Sequence, residues 1–230
     1  MLAKKKKLSK KKIKEDKLVT SFYNVRNFYE DNQTRVLLVL GGLAAIIVVI
    51  IWYNSKITQD NKAATVELSR VYSIYESGSY QEAIDGKPGT NVTGLRSIVD
   101  NYGGSEQGET ARIYLANCYY FLGEYDKAKN EYDSYGGSNK QLVSSAYAGI
   151  AACNEAKEKY EDAAEYYLKA AEVYEYNPMN ADNLLNAGKN YLKTKEYDKA
   201  ENVFNRIKEN YSQSSVAREV DRYLALVNVK

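Results

Sequence analysis

The residue types that usually perform catalysis are scarce in this chain of 230 residues. The sequence contains no histidine, which removes the commonest general base and metal ligand. Its two cysteines, Cys118 and Cys153, therefore lack an imidazole that could activate them. No nucleophile has a base beside it, and no phosphate-binding loop occurs. We expect no catalytic site, no metal site and no cofactor, so we predict that the protein is not an enzyme.

The 23 tyrosines are the most informative residues, because several of them recur in one pattern. A tyrosine followed three residues later by an alanine occurs at Tyr80, Tyr125, Tyr160 and Tyr197. The last two intervals are 35 and 37 residues, close to the period of about 34 residues of a helix-turn-helix repeat. The first interval is 45, and the segment GKPGTNVTG at residues 86–94 accounts for the excess as a loop.

Each unit has the spacing of two paired helices. In the second unit, Gly123 separates two segments whose apolar residues recur with helical spacing, and an alanine stands where the helices approach each other most closely. The residues on the two faces are Leu115, Cys118, Tyr119 and Leu122, then Tyr125, Ala128 and Tyr132. Eight tyrosines fall on such packing positions: Tyr80, Tyr119, Tyr125, Tyr132, Tyr160, Tyr167, Tyr191 and Tyr197.

These units resemble the tetratricopeptide repeat, and the unit that begins at Asn183 matches best. The Tyr160 unit departs from the pattern at Ala151, Asn154 and Glu158, and the first unit keeps only the turn. The residues of the best unit that carry the resemblance are Leu184, Gly188, Tyr191, Tyr197, Ala200 and Phe204. The resemblance implies an all-α fold, in which residues 63–230 form an α-solenoid of about four helix-turn-helix repeats. We place the repeats at about 63–104, 109–140, 144–178 and 181–212, with a capping helix at 214–229.

The two cysteines occupy equivalent positions in neighbouring repeats, 35 residues apart. Axes of stacked helices lie about 8–10 Å apart, whereas a disulfide generally requires Cα atoms within about 7 Å. We therefore predict free, buried thiols.

An apolar run of 18 residues, Val36 to Tyr53, precedes the repeats. A helix of this length is roughly 27 Å long, enough to cross the hydrocarbon core of a bilayer. Residues 1–35 carry eleven basic and four acidic residues, a net charge of +7, and the remaining residues carry a net charge of −5. By the positive-inside rule, we predict an uncleaved signal anchor with a cytoplasmic N-terminus and a translocated C-terminal domain. The location this implies is a bacterial inner membrane, crossed once at residues 35–54, with the C-terminal domain in the periplasm.

The segments that flank this run have distinct compositions. Residues 1–16 are rich in lysine, and we expect a disordered cytoplasmic arm that lies along anionic lipid rather than one that binds nucleic acid. Residues 17–34 carry Leu18, Phe22, Val25 and Tyr29 on one helical face, which predicts an amphipathic juxtamembrane helix. Residues 54–62, NSKITQDNK, are expected to form a short polar linker.

In tetratricopeptide-repeat proteins, the first helix of each repeat lines a concave groove that binds a partner. The resemblance therefore implies that a partner of this chain binds in the corresponding groove. We predict an apolar groove with few charges, provided that the first repeat or the capping helix leaves it uncovered. A carboxylate clamp is disfavoured because Ile113, Gly149 and Asp182 occupy three of its positions, although Asn117 and Asn186 would fit. The predicted groove residues are Ile113, Asn117, Tyr120, Phe121, Ala148, Ala152, Glu155, Leu185, Lys189 and Leu192.

Taken as a whole, the order of segments resembles the YfgM-like inner-membrane proteins, which are ancillary to the Sec translocon and linked to periplasmic chaperones. The resemblance implies protein partners: the translocon, a chaperone or unfolded secretory segments. A structural scaffold for assembly of the cell wall or outer membrane is an alternative, because the turns NYGGS and NYSQSS also resemble those of envelope-assembly repeat proteins. A third possibility is an import receptor whose repeats face the cytosol, but the basic N-terminal segment and the acidic repeats argue against that orientation.

Overall fold

The computed structural model describes residues 10–227, with the side chains of residue 17 and residues 19–227. The chain divides into two compact units, Met1–Lys56 and Ile57–Lys230. Its elements are α1 (Lys10–Glu76), α2 (Tyr80–Asp85), β1 (Gly86–Lys87), β2 (Val92–Thr93), α3 (Leu95–Tyr102), α4 (Glu106–Phe121), α5 (Tyr125–Asp133), α6 (Lys140–Ala156), α7 (Tyr160–Glu172), α8 (Asn180–Lys193), α9 (Tyr197–Asn210) and α10 (Ala217–Val227). The predicted all-α fold, a long apolar N-terminal helix followed by a helical solenoid, is confirmed.

The first unit consists of most of α1. In the described part of the chain, α1 alone is long and apolar enough to cross a membrane; its most apolar window has a mean hydropathy of 2.8. The side chains from Leu37 to Tyr53 are exposed. The arm predicted to be disordered is helical from Lys10 onward, since lysine is a good helix former, while residues 1–9 lie outside the described residues.

The polar linker predicted at residues 54–62 is wrong, because α1 continues through these residues to Glu76. Residues 54–62 contain neither proline nor glycine, so nothing in them interrupts the helical hydrogen bonds. The helix ends where Gly78 adopts a φ of 78°. The last turns of α1 thus supply the first helix of the first repeat, with Ala64, Leu68 and Val71 buried.

The second unit is built from helices that each pack against the next one, in the pairs α4 and α5, α6 and α7, and α8 and α9. The alanine of each Tyr-x-x-Ala turn is completely buried at Ala83, Ala128, Ala163 and Ala200. Two apolar clusters run along the solenoid, one from Ala64 to Cys153 and the other from Ala151 to Val227. The helix α10 closes the second cluster with Val220 and Val227, so apolar surface at the end of the array is covered.

The same turn joins the two helices of every repeat. The residue two positions before the conserved tyrosine has a left-handed backbone, with φ of 78° at Gly78 and Gly123, 59° at Glu158 and 64° at Lys195. The amide of the next residue donates to a carbonyl five residues earlier, as Glu124 N does to Tyr119 O at 2.9 Å. This is the Schellman geometry that satisfies the last carbonyls of a helix.

The loop predicted at residues 86–94 contains a small antiparallel hairpin, in which Gly86 pairs with Thr93 and Lys87 with Val92. Gly86 has a φ of 84°, and a Cβ at Gly94 would lie 2.3 Å from the carbonyl oxygen of Ile84. Only glycine fits this close approach of two backbones, and the insertion therefore folds tightly against the end of α2.

The tyrosines and cysteines occupy the packing positions that the sequence assigned to them. Tyr119, Tyr132, Tyr167 and Tyr191 are buried, and the other four tyrosines of the set are half-buried. The prediction of free, buried thiols is confirmed for both cysteines. Burial raises the pKa of Cys118 to about 12, and burial is also the main cause that raises the pKa of Cys153 to about 11.

Candidate functional site

A cavity of about 400 Å³ lies on the side of the array formed by the first helices of successive repeats. It is bounded by α4, α6, the start of α8 and the loop before α8. None of the described residues that line it is charged. The lining consists of Thr110, Ile113, Tyr114, Asn117, Tyr132, Gln141, Leu142, Ser144, Ser145, Ala148, Gly149, Asn177, Met179 and Asn183, and we call this surface the amide groove.

The amide groove brings together Ile113, Asn117 and Ala148 from the ten residues predicted to bind a partner. Ile113 is only 5% exposed, so it forms the floor of the groove. Gly149 also lies here, and a Cβ at this position would come within 2.3 Å of the ring of Tyr132. The glycine therefore allows α6 to approach Tyr132 closely and keeps this part of the groove free of a side chain.

The aromatic residues predicted for the groove lie outside the amide groove, and Phe121 is 55% exposed. The ring of Phe121 stacks on that of Tyr80, with centroids 4.7 Å apart and planes inclined by 15°. Tyr120 is half-buried and packs against Tyr125. Leu192 is half-buried against the second apolar cluster. Tyr120, Phe121 and Leu192 therefore do not line the amide groove, whose apolar surface comes from other residues, among them Ile113, Leu142 and Met179.

Leu185 was predicted to face the groove, and this prediction is wrong. The residue is 6% exposed and belongs to the second apolar cluster. A larger share of α8 is buried than of the first helices of the preceding repeats: nine of its 14 residues, against eight of 16 in α4 and six of 17 in α6. Lys189 on α8 is half-buried, as is Ala152 on α6.

Glu155 also lies outside the amide groove and takes part in a separate polar cluster. Its carboxylate accepts hydrogen bonds from Lys193 Nζ at 2.8 Å and from Tyr167 Oη at 3.3 Å. Burial opposes ionisation of this carboxyl, but hydrogen bonds from Lys193, Asn190 and Tyr167 outweigh that effect and lower its pKa. This contact links α6 to α8 and is a structural ion pair between repeats.

Hydrogen bonds fix the orientation of Asn117 at the first end of the amide groove. The Tyr132 hydroxyl donates to Asn117 Oδ1 at 2.5 Å, and Asn117 Nδ2 donates to Tyr75 Oη at 3.1 Å. Burial is the main cause that raises the pKa of both tyrosines, so their hydroxyls stay protonated at neutral pH. The network connects α1, α4 and α5.

A second network fixes the other end of the groove. Asn177 Nδ2 donates to Ser144 Oγ at 2.7 Å, and the same hydroxyl donates to the carbonyl of Ala170 at 2.7 Å. The side-chain oxygen of Asn177 accepts from the amide of Met179 at 3.0 Å. Since Ser144 and Asn177 are both buried, this network holds the loop before α8 against α6.

Asn183 differs from these residues because its amide nitrogen has no hydrogen-bond partner among the described residues, although the atom is buried. The residue is 4% exposed and lines the amide groove. A buried donor without an acceptor costs about 1–3 kcal/mol. Asn183 thus places a buried, unpaired donor at the margin of the amide groove.

The sequence reasoning missed the amides and hydroxyls of the groove, although one signal was present. Asparagines recur every three residues at Asn177, Asn180 and Asn183, around the start of α8. Such spacing places polar side chains on one side of a helix start, which is unusual for a buried position. In the described part of the chain, no cluster of three histidine, cysteine, aspartate or glutamate residues is arranged to hold a metal ion.

These features define an array of helix-turn-helix repeats with an uncharged groove along its first helices, the architecture of tetratricopeptide-repeat proteins. Family models of the tetratricopeptide repeat match residues 110–137 and 142–213, so both stretches are tetratricopeptide repeats. Repeats of this type mediate binding between proteins.

Among solved structures, the chain is similar to the crystal structure of the apo form of RapI, with a TM-score of 0.57 and 14% sequence identity. The match covers 68% of this chain and 44% of that chain, so it spans less than half the length of RapI. At this identity the similarity concerns the fold alone. No curated protein matches the sequence.

Proposed function

We propose that the protein is a membrane-anchored interaction protein whose amide groove binds an extended peptide segment of a partner on the translocated side of a bacterial inner membrane. The observation that carries this proposal is the open, uncharged groove with a buried, unpartnered donor at Asn183. The main chain of an extended peptide supplies alternating carbonyls and amides. Side-chain amides, which carry both donors and an acceptor, are suited to pair with them.

The lack of charge supports a particular type of occupant. A charged side chain that entered the groove would lose its hydration without gaining an opposite charge among the lining residues. The apolar contributions of Ile113, Leu142 and Met179 accommodate small or apolar side chains instead. We therefore propose uncharged, unfolded or amphipathic segments as ligands, such as those of emerging secretory proteins or of a periplasmic chaperone near the Sec translocon.

The groove is tested by crosslinking in intact cells from a photoreactive residue at Ala148, which lines the amide groove. The matched control carries the same residue at Glu165, an exposed position on α7 outside the groove. We expect Ala148 to capture translocon components, a chaperone or precursor segments that Glu165 does not capture. Equal capture from both positions, or none from Ala148, contradicts the proposed use of the groove.

The anchor and its direction are tested separately by fusing alkaline phosphatase to the C-terminus and expressing the fusion in a bacterium. The apolar run in α1 and the net charge of +7 on residues 1–35 support a cytoplasmic N-terminus. We expect an active phosphatase, since the enzyme requires the translocated side. An inactive fusion that is still found in the membrane fraction contradicts the topology, and a fusion in the soluble fraction contradicts the anchor.

A further inference from the structure

The N-terminal unit has an exposed face that the proposed peptide groove does not use. Within α1, Phe22, Val25 and Tyr29 follow one another at spacings of three and four residues, and their side chains are 65%, 69% and 41% exposed. Asn24 and Asn27 lie on the opposite side of the helix by the same 3.6-residue period. Val19, Tyr23 and Phe28 are also exposed and lie to the sides of this row, so Phe22, Val25 and Tyr29 form the most continuous part of a broad apolar surface, which no described side chain covers.

The helix is interrupted where the amphipathic segment meets the apolar run. Asn32 has φ −123° and ψ 22°, which are not helical values, and its Nδ2 donates to the carbonyl oxygen of Phe28 at 3.1 Å. The side chain thus bonds back to the preceding helical turn at the point of the break. A break at this residue uncouples the direction of residues 17–31 from that of residues 36–53.

The charges near this face favour one type of partner. Eight lysines stand between Lys4 and Lys14, against no acidic residue before Glu15. On the amphipathic segment itself, Arg26 Nε pairs with Glu30 Oε1 at 2.8 Å, so its polar part is close to neutral. A strongly basic sequence beside an apolar face is complementary to a surface that is anionic outside and apolar inside.

The residue types distinguish a lipid surface from a second protein helix. The exposed face carries two aromatic rings, of Phe22 and Tyr29, and rings of this kind favour the boundary between headgroups and acyl chains. A helical zipper would instead present leucine, isoleucine or valine at most of these positions. The same helix leads directly into the apolar run, which brings the face to the membrane surface without any further contact.

We propose that residues 17–31 lie along the headgroup region of an anionic bilayer, with Phe22, Val25 and Tyr29 directed into the acyl chains and the break at Asn32 joining this helix to the spanning segment. The inference rests on the proposed membrane anchor. It adds a second membrane contact, which is specific for anionic lipid because of the lysine-rich sequence that precedes it.

The test uses the full chain in vesicles that contain phosphatidylglycerol, with a spin label at one introduced cysteine. Phe22→Cys probes the apolar face, Asn24→Cys is the matched control on the opposite face, and Ile47→Cys reports the anchor. The native thiols are buried, and the unsubstituted chain gives the background labelling. Accessibility to oxygen, which dissolves in the bilayer, is compared with accessibility to a water-soluble nickel chelate.

We expect an oxygen-to-nickel ratio several-fold higher at Phe22→Cys than at Asn24→Cys, and the highest ratio at Ile47→Cys. In vesicles of phosphatidylcholine alone, the ratio at Phe22→Cys should fall while that at Ile47→Cys is unchanged. Nickel access at Phe22→Cys equal to that at Asn24→Cys, with Ile47→Cys still shielded, overturns this inference and leaves the anchor intact. Nickel access at Ile47→Cys overturns the anchor itself.

Two further outcomes also count against the proposal. Spin–spin broadening at Phe22→Cys, which is lost on dilution with unlabelled chain, would mean that a second copy covers the face. A high ratio at Phe22→Cys that does not depend on lipid charge would overturn the specificity for anionic lipid.

Discussion

The left-handed residue at Glu158 provides a direct test of how the repeat turn is built. Its φ is 59°, and the equivalent residue in the preceding repeat is Gly123, with a φ of 78°. An L-residue with a side chain loses roughly 1–2 kcal/mol in this conformation. Glycine avoids that loss, but it gives the unfolded chain more conformational entropy, which lowers the free energy of unfolding by about 0.4–1 kcal/mol. The substitution Glu158→Gly should therefore stabilise the protein by about 0.5–1 kcal/mol.

The assay is thermal unfolding of the full chain in a non-ionic detergent, followed by circular dichroism. For a folded unit of this size the stabilisation corresponds to an increase in Tm of about 1–4 °C. The matched control is Glu165→Gly, which makes the same chemical change at an exposed position inside α7. It should destabilise by about 1 kcal/mol, since glycine is a poor residue in a helix interior.

The reverse substitution completes the test. No atom of the described residues, apart from its chain neighbours, lies within 4 Å of a Cβ built at Gly123, so Gly123→Ala changes the backbone preference without a steric clash. We expect Gly123→Ala to lower the free energy of unfolding by about 1 kcal/mol. If Glu158→Gly lowers the Tm as much as Glu165→Gly does, the left-handed turn is not a source of strain and the reasoning is refuted.

Three further results are expected. Gly188→Ala should lower the free energy of unfolding by about 1–3 kcal/mol, because the added Cβ would lie 2.3 Å from Cε1 of the buried Phe204 ring. In urea denaturation, a second substitution, Phe204→Leu, should recover part of this loss. Cys118 should react with a thiol reagent at neutral pH far more slowly than in the unfolded chain, since burial raises its pKa to about 12; fast labelling of the folded protein would contradict this. The pKa of Glu155 is lower in the folded protein than in the unfolded chain. Its ionised carboxylate therefore stabilises the fold at pH values above the unfolded-state pKa of Glu155, and this stabilisation is lost as the pH falls through its folded-state pKa. Lys193→Met should reduce this acid dependence of the Tm, and an unchanged pH profile would exclude the ion pair as its source.

The repeat fold was predictable because its signals are local. A tyrosine with an alanine three residues later marks each turn, and the burial of Ala83, Ala128, Ala163 and Ala200 follows from that spacing. The helical connection through residues 54–62 could also have been predicted, since that segment has no helix-breaking residue. Its polar composition suggested a linker, but polarity alone does not end a helix.

The composition of the groove was not predictable to the same degree, because it depends on contacts between distant residues. Asn117 is oriented by Tyr75, which is 42 residues away, and the ring of Phe121 stacks on Tyr80 of another repeat. Leu185 has the spacing of a groove residue, yet it is buried in the second apolar cluster. Helical periodicity assigns a residue to a face of its own helix but does not tell how many neighbours that helix has.

The uncharged lining of the amide groove also determines how a ligand would arrive. A groove without charged side chains exerts no long-range attraction, so association would proceed without electrostatic steering, at about 10⁵–10⁶ M⁻¹s⁻¹. Screening by salt acts on charges and leaves neutral amide contacts nearly unaffected. The strength of contacts made through this neutral lining would therefore change little with ionic strength.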